Sequence, residues 1–426
     1  MSNSFSKEER VAFDQLLQDF QDALVMSRNV SVYKTDQTQM ERTGNTIWRP
    51  QPYIAVSYPG TDMTANFLAQ TQMSVPAQIQ YQRSVPWPMN PLELRDALQA
   101  NRLGKSAREK LASDINLAVL QVATAQGTLV YKSTSAAGGS PGGGFGDLAN
   151  IEGIMNRVGI QYEDRYAAFS TFDYNGLAKD LANRQNMVDM TKEAYKRGYV
   201  GMVASFETYK LDYSLRCLAA AGSGNTMSSL ASALNYYVPA ATYTDPISGA
   251  RTNVDNRYQT ITVNLTTSIL AGDAFTIAGV NEAHHITKQD TGNLKSFRVI
   301  KVPSATTLVI SPPIISNQGG SIAEQQYQNC VVTPASGNAI VFLNTATANI
   351  NPFWFKDSIE ILPGRYEVPM DAGAAVMRAT TEQGIDLVLQ KQYDINTMLT
   401  KYRLDTLYGV NMLQPEMAGI ALFGQS

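Results

Sequence analysis

Apolar residues at Phe13, Leu16, Leu17, Phe20 and Leu24 recur at the three- and four-residue spacing of one helix face, with Asp14, Asp19 and Asp22 on the polar side. Ser6 and Glu9 stand just ahead as a capping box, so an amphipathic helix is predicted at the N-terminus. From Tyr33 to Trp87 that periodicity is gone. The segment is rich in Gln, Thr, Ser and Pro, and Pro50, Pro52, Pro59, Pro76, Pro86 and Pro88 exclude any long helix. A long extended excursion, two-stranded in form, is the natural reading, and loops of that length are uncommon unless they have a function. Helical signals return at Asn90, Pro91 and Glu93. Gly104 is expected to break this helix, and Ser106 with Glu109 to restart it. Leu111, Ile115, Ala118 and Val122 then stack on one face, widened by Leu117 and Leu120, to about Gln126.

The run from Gly138 to Gly146 reads as a flexible loop by composition. Helical segments are expected around Leu148–Arg157, Tyr174–Arg184 and Thr191–Arg197, with short apolar strands between them, as an α+β layer. At about Ala221 helix signals give way to alternation. Ile261, Val263 and Leu265 alternate with polar residues, Ala274 to Val280 is a short strand, and Phe297–Val302 with Thr306–Ile310 forms a hairpin across Pro303-Ser304-Ala305. Strands at this spacing point to a small β-barrel or sandwich that ends near Asn344. Pro352-Phe353-Trp354-Phe355 and further strands follow, including Leu404 to Met412. The order is α+β, then all-β, then α+β. It reads as a β domain inserted into a surface loop of its host.

Composition narrows the classes. With 426 residues, two or three domains are expected, and 44% hydrophobic residues suit a globular protein. Charged residues are only 17%, which by itself fits an ordinary neutral globular protein first and a subunit that buries surface against neighbours second. The net charge of -3 and the absence of a long basic run exclude the electrostatic footprint of tight nucleic-acid binding. Cys217 and Cys330 match no metal-ligand spacing and read as two buried, reduced thiols. The first ten residues lack the apolar core of a signal peptide, and no stretch reaches a membrane span, so folding in the cytoplasm is expected.

Candidate chemistry is scarce. The two histidines, His284 and His285, lie in a polar stretch and read as part of a solvated loop. No nucleophile elbow is present. Gly104-Lys105-Ser106 resembles the end of a phosphate-binding loop, but Gln99 stands where the pattern needs its first glycine. The glycine-rich run lacks the lysine that phosphate cradling needs. Asp245, Arg251, Asp255 and Arg257 fall in a Thr-, Pro-, Gly- and Asn-rich loop and on chemistry alone are solvated charges. No cofactor and no metal is expected, and no enzymatic activity.

Several segments resemble the coat proteins of lambdoid podoviruses, which are short-tailed double-stranded DNA phages. Asn45-Thr46-Ile47-Trp48-Arg49-Pro50 is similar to the entry of their extended loop, with Trp48 at its base. Leu94-Arg95-Asp96 and Ser106–Ala112 are similar to the start of their long spine helix. Asn253–Arg257, Gly272-Asp273, Ala278–Val280 and Phe297–Val299 follow their inserted domain, and Tyr408–Asn411, Pro415-Glu416 and Gly419 their C-terminal segment. These motifs are collinear over most of the chain.

The resemblance implies the tailed-phage major capsid protein fold, an α+β fold with an inserted β-barrel domain. Its parts would be an N-terminal arm (1–32), an extended loop (33–88), a peripheral domain with the spine helix (89–133), an axial domain (134–221), the inserted domain (222–345), and a second axial part with a C-terminal return (346–426). It implies a major capsid protein that assembles with a scaffolding protein into a procapsid of hexamers and pentamers, which expands as DNA is packaged. The implied partners are further copies of the chain, the scaffolding protein, the portal protein and double-stranded DNA bound without sequence preference, with no membrane. Asp14, with Asp19 as helper, would meet a basic scaffold helix. Asp245, Arg251, Asp255 and Arg257 would supply ion pairs between capsomers, and the loop Asn281–Ser296 would correspond to one linked to shell size. A tail or decoration protein is the alternative, and would form small closed oligomers. A polysaccharide hydrolase would need a carboxylate pair that nothing here nominates.

Overall fold

In the computed structural model the described residues are 5, 7–33, 46–51, 55–64, 66–68, 70–90, 97–139, 143–183, 201–228, 236–366 and 374–426. Among them are five α-helices: α1 (Lys7–Ala23), α2 (Ala97–Gln126), α3 (Gly143–Val158), α4 (Thr171–Asn183) and α5 (Ile322–Tyr327). The expected cap at Ser6 and helix at Thr191–Arg197 lie outside the described residues. The chain divides into two units, one of residues 1–47, 76–122 and 359–411, the other of residues 48–75, 123–358 and 412–426.

The first unit holds a six-stranded sheet in which Ser31–Val32, Ile359–Pro363, Leu399–Met412, Asp386–Asp394 and Ala375–Thr380 are neighbours in that order. Tyr81–Met89 pairs along Leu399–Met412 from Tyr81↔Tyr408 to Met89↔Thr400. The last residues of the proline-rich stretch are therefore a sheet strand. Pro86 and Pro88 cost little there because the remaining residues carry the ladder, and Trp87 stacks on Tyr402 at 5.7 Å. Helix α1 turns Phe13, Phe20 and Leu24 inward. Its end is satisfied by Asn116, whose Nδ2 donates to the Ala23 carbonyl at 3.0 Å while its Oδ1 accepts from Met26 N at 3.2 Å.

Helix α2 corrects one expectation, because it runs unbroken through Gly104. Ser106 and Glu109 are mid-helix positions and cap nothing. A lone glycine costs a helix about 1 kcal/mol. Burial of Ala107, Leu111, Ile115, Ala118 and Val119 on the same helix outweighs that. At Gly104 an added Cβ would lie 3.5 Å from Leu16 Cδ1, an ordinary contact.

The two largest cores of the second unit are built on its two main sheets. One lies on a mixed six-stranded sheet in the order Leu129–Lys132, Ala418–Leu422, Asn351–Phe355, Arg165–Ser170, Phe206–Leu211, Met202–Val203. Helices α3 and α4 cover it through Leu148, Ile151, Met155, Tyr174 and Leu177. Within the glycine-rich run, of which residues 140–142 lie outside the described residues, Gly138 and Gly144 sit where another backbone comes close. Gly143 to Gly146 form the first turn of α3. A Cβ on Gly144 would meet the Leu177 carbonyl oxygen at 2.8 Å, and one on Gly138 (φ +77°) would strike the Gly176 carbonyl.

The other core belongs to the all-β segment. Five antiparallel strands lie in the order Gln259–Thr262, Thr307–Ser311, Asp290–Ser304, Ala274–Ala283, Ile340–Phe342. Thr226 bridges Ala339 at one edge and Met227 bridges Val263 at the other. These two residues close the sheet into a barrel and leave no long free edge. Inside, Phe275 stacks on Phe297 at 5.7 Å among Ile261, Ile277, Val299, Leu308 and Ile340. The short α5, which the sequence reading missed, starts at a capping box of Ser321 and Glu324.

Candidate assembly surfaces

The first surface is the solvent face of α1. Asp14 is exposed and, among the described residues, has neither an ion pair nor a hydrogen bond. Asp19 is exposed as well, but it has a partner within the chain. Its carboxylate is bonded to the Arg108 guanidinium on α2, so it ties the arm helix to its own unit. At the other end of α1, Glu9 Oε1 accepts from Lys391 Nζ at 2.6 Å and from Tyr402 Oη at 3.1 Å. Burial, and then the nearby Glu9 carboxylate, push the Tyr402 phenol well above its usual range. Among the described side chains of α1, Asp14 is the exposed acid without an ion pair.

The second surface is a two-stranded ribbon, Thr242–Thr244 against Arg251–Asn253, registered Thr242↔Asn253 and Thr244↔Arg251. The sequence reading had only a loop here. Its tip is built by Asp245, whose Oδ1 accepts from the backbone N of Ile247 at 2.7 Å and of Ser248 at 3.2 Å. Those two bonds hold the exposed Asp245 carboxyl below the ordinary range. Gly249 supplies the positive φ of +67° that the return needs. Ile247 is 95% exposed at the tip, and among the described residues the Arg251 guanidinium meets Thr242 Oγ1, at 3.4 Å. The ribbon thus presents one acid, one base and two large apolar side chains, Ile247 at the tip and Tyr243 in the strand.

Asp255 and Arg257 are a correction to the expectation of ion pairs with neighbours. Arg257 is buried, and its Nε and Nη2 meet the two Asp255 oxygens at 2.9 and 2.6 Å. Its Nη1 donates to the Met412 carbonyl at 2.8 Å. This bidentate pair is committed inside the chain. Trp48 sits half-buried in the strand Thr46–Pro50, which pairs with Ser74–Gln78. Beside that strand the loop is tied down: Gln51 N donates to Met73 O at 2.8 Å, and Met73 N donates to Tyr327 Oη at 3.1 Å.

Sequence reasoning missed a set of buried cations on the barrel strand Asp290–Ser304. Lys295 Nζ lies 2.6 Å from Glu416 Oε1, which also accepts from Asn329 Nδ2 at 3.0 Å. Burial alone would lower the Lys295 ammonium, but Glu416 and Glu282 outweigh it and hold it above its usual range. Arg298 is 1% exposed and donates to three carbonyls: Gly272 at 3.1 Å, Gly127 at 3.2 Å and Thr124 at 3.1 Å. The last two belong to the end of α2, where a cation offsets the negative pole of the helix and fills its unpaired acceptors. Ser296 Oγ adds a bond to Thr128 O at 2.7 Å.

The histidines are not solvated. Both are half-buried against the end of α3. His285 N donates to Val158 O at 2.9 Å, and the His284 ring lies over Gly159, where a Cβ would meet Cε1 at 2.8 Å. Burial, then Lys288, hold His285 down to about 4. Cys217 and Cys330 are buried free thiols, and burial raises both, Cys330 to about 12. Gly104-Lys105-Ser106 lies within α2 and forms no loop. Among the described residues no three His, Cys, Asp or Glu side chains are grouped to hold a metal, and no helix is long and apolar enough to cross a membrane.

An α+β body that carries a β-barrel, an acidic arm helix and a charged ribbon is the make-up of a phage coat subunit. The chain belongs to the P22 coat protein family, described as "P22 coat protein - gene protein 5", whose pattern matches residues 1–424. It is a major capsid protein, and its place is the virion shell that copies of it form. Several solved structures are similar to this chain, three of them as follows. The CUS-3 coat protein I-domain is 42% identical over 29% of this chain and 99% of that one, with a TM-score of 0.23. The capsid of cyanophage P-SCSP1u is 11% identical over 93% and 87%, TM-score 0.43. The satellite phage P4 procapsid, which includes a size determination protein, is 6% identical over 99% and 99%, TM-score 0.38.

Proposed function

We propose that this coat protein assembles with a scaffolding protein into a procapsid of hexamers and pentamers. The shell then expands around packaged double-stranded DNA while the scaffold leaves. The family match over residues 1–424 carries this reading. In it, residues 1–32 act as the arm, 33–88 as the loop that lies over a neighbouring subunit, and 222–345 as the inserted domain. The subunit catalyses nothing, assembles in the host cytoplasm, and meets the portal protein at one vertex. Its near-neutral charge lets DNA slide along the inner wall.

Asp14 on α1 is the contact for a basic scaffold helix. An exposed pair is weak and salt-sensitive, which suits a partner that must depart. Asp245 and Arg251 on the ribbon meet their counterparts across a two-fold axis, where an acid and a base on the same surface complement themselves. The test is negative-stain electron microscopy of the chain expressed with and without its scaffolding protein. Uniform round shells are expected only with scaffold. Small discrete oligomers under both conditions would replace this reading with a tail or decoration protein.

A further inference from the structure

Lys295, Asn329 and Glu416 meet at one oxygen in the second unit. Lys295 Nζ lies 2.6 Å from Glu416 Oε1, and Asn329 Nδ2 donates to that same oxygen at 3.0 Å. The amine and the carboxamide can be no farther apart than those two contacts allow. The carboxamide is fixed at both ends. Its Nδ2 also donates to Pro313 O at 2.9 Å, and its Oδ1 accepts from Ile315 N at 3.0 Å. Lys295 is 1% and Asn329 5% exposed, so bulk water is kept from both. A cavity of about 60 Å³ lies beside them, with all three residues on its wall. That is room for a molecule the size of water or ammonia.

These contacts are also a set of chemical roles. A desolvated amine stands by a carboxamide. One carboxylate touches both nitrogens, so it can take a proton from the first and give it to the second. A backbone N–H already points at the carboxamide oxygen, where negative charge would develop. We infer that Lys295 and Asn329 join slowly through an amide bond, with Glu416 as base and then acid. Lys295 passes a proton to Glu416, and the freed Nζ lone pair attacks Asn329 Cγ. The carbonyl electrons move onto Oδ1, held by the Ile315 N–H. Glu416 gives its proton to Nδ2 and takes a second one from Nζ. The Cγ–Nδ2 bond then breaks, the Oδ1 pair restores the carbonyl, and ammonia leaves by the cavity with the Glu416 proton as ammonium. No oxidant or cofactor is consumed, and the chain is its own substrate and reacts once. Glu416 and Glu282 favour the charged lysine, so the neutral pair is the minor form and the step is slow. Freshly folded monomer keeps the ion pair. Ageing replaces it with a covalent tie between the barrel strand Asp290–Ser304 and the segment after α5.

The test is intact mass spectrometry of the full-length monomer, sampled over two weeks below its unfolding temperature. The wild type should grow lighter by one ammonia. Tandem spectra of a digest should then show a branched peptide that joins Lys295 to Asn329. Glu416→Gln removes the base and acid and should slow the linking by about a hundredfold or more. Lys295→Met should abolish it. Folded wild type that yields no branched peptide would overturn the inference, and so would a loss of ammonia that the digest traces to a succinimide at another asparagine. Linking that proceeds as fast in Glu416→Gln as in the wild type would overturn the part given to Glu416.

Discussion

The buried pair of Lys295 and Glu416 gives an asymmetric prediction. The Lys295 side chain is 1% exposed and that of Glu416 28% exposed, so only the acid has a route to water. Glu416→Gln leaves an ammonium sealed in the barrel wall, with Glu282 as its remaining nearby acid. Removing one partner of a fully buried pair costs roughly 3–5 kcal/mol. Glu282 recovers part of that, so a loss of about 2–4 kcal/mol is expected. Lys295→Met leaves a carboxylate that keeps the Asn329 bond and its solvent contact, so the loss falls to about 1–2 kcal/mol. The double variant removes both desolvation penalties and should be no worse than Glu416→Gln alone. The assay is urea unfolding of the purified monomer, followed by tryptophan emission and circular dichroism. Equal losses for the two single variants, or strict additivity in the double one, would refute the claim that burial of the ammonium sets the cost.

Four further outcomes are expected. Gly104→Ala should raise stability by about 0.5–1 kcal/mol, since its Cβ has room beside Leu16; a drop in the same urea assay would restore the helix break. His285 is held down to about 4 against an ordinary 6.5, so the folded state binds the fewer protons. Its contribution is whole above 6.5 and fades as pH falls toward 4, by roughly 3 kcal/mol at most, and His285→Asn should flatten that part of the stability-pH curve. Asp14→Lys should block scaffold-dependent shell formation while leaving the monomer folded, and normal procapsids from it would sink the scaffold assignment. Residues 222–345 expressed alone should give a dispersed amide spectrum, and Arg298→Met should barely alter that fragment while costing the full chain about 2–4 kcal/mol; equal effects in both would refute the capping role.

The elements with strong local period were readable from the chain. The hairpin across Pro303-Ser304-Ala305, the arm helix and the late strand Leu404–Met412 all stand where alternation or helical spacing put them. What failed was punctuation. Gly104 looks like a stop, yet a glycine yields when flanking residues share a buried stripe. Gly138 and Gly144 look like flexibility, yet they let backbones touch. Composition does not separate these cases, because the deciding atoms come from another helix. The candidate charges divided in the same way. Asp14, Asp245 and Arg251 remained outward, while Asp19, Asp255 and Arg257 found partners in the chain. A partner such as Arg108 for Asp19 lies far along the sequence, so nothing local marks the aspartate as taken.

The barrel's buried cations tie it to the six-stranded sheet of the second unit. Arg298 fills acceptors at the end of α2, Ser296 bonds the next residue but one, and Lys295 grips the Pro415–Met417 turn. Arg257 reaches the Met412 carbonyl from the far side of the barrel's first strand. These targets flank two strands of the host, Leu129–Lys132 and Ala418–Leu422, which pair in parallel from Gly419↔Leu129 to Leu422↔Lys132. Parallel neighbours from opposite ends of a chain have no turn to set their register. Here the barrel strand Asp290–Ser304 holds both entry points at once, through side chains that cannot be satisfied elsewhere. Both entry points of this parallel pair thus meet one strand of the barrel. Lys295 and Arg298 reach them with donors that a hydrophobic side chain lacks, which accounts for two buried cations on that strand.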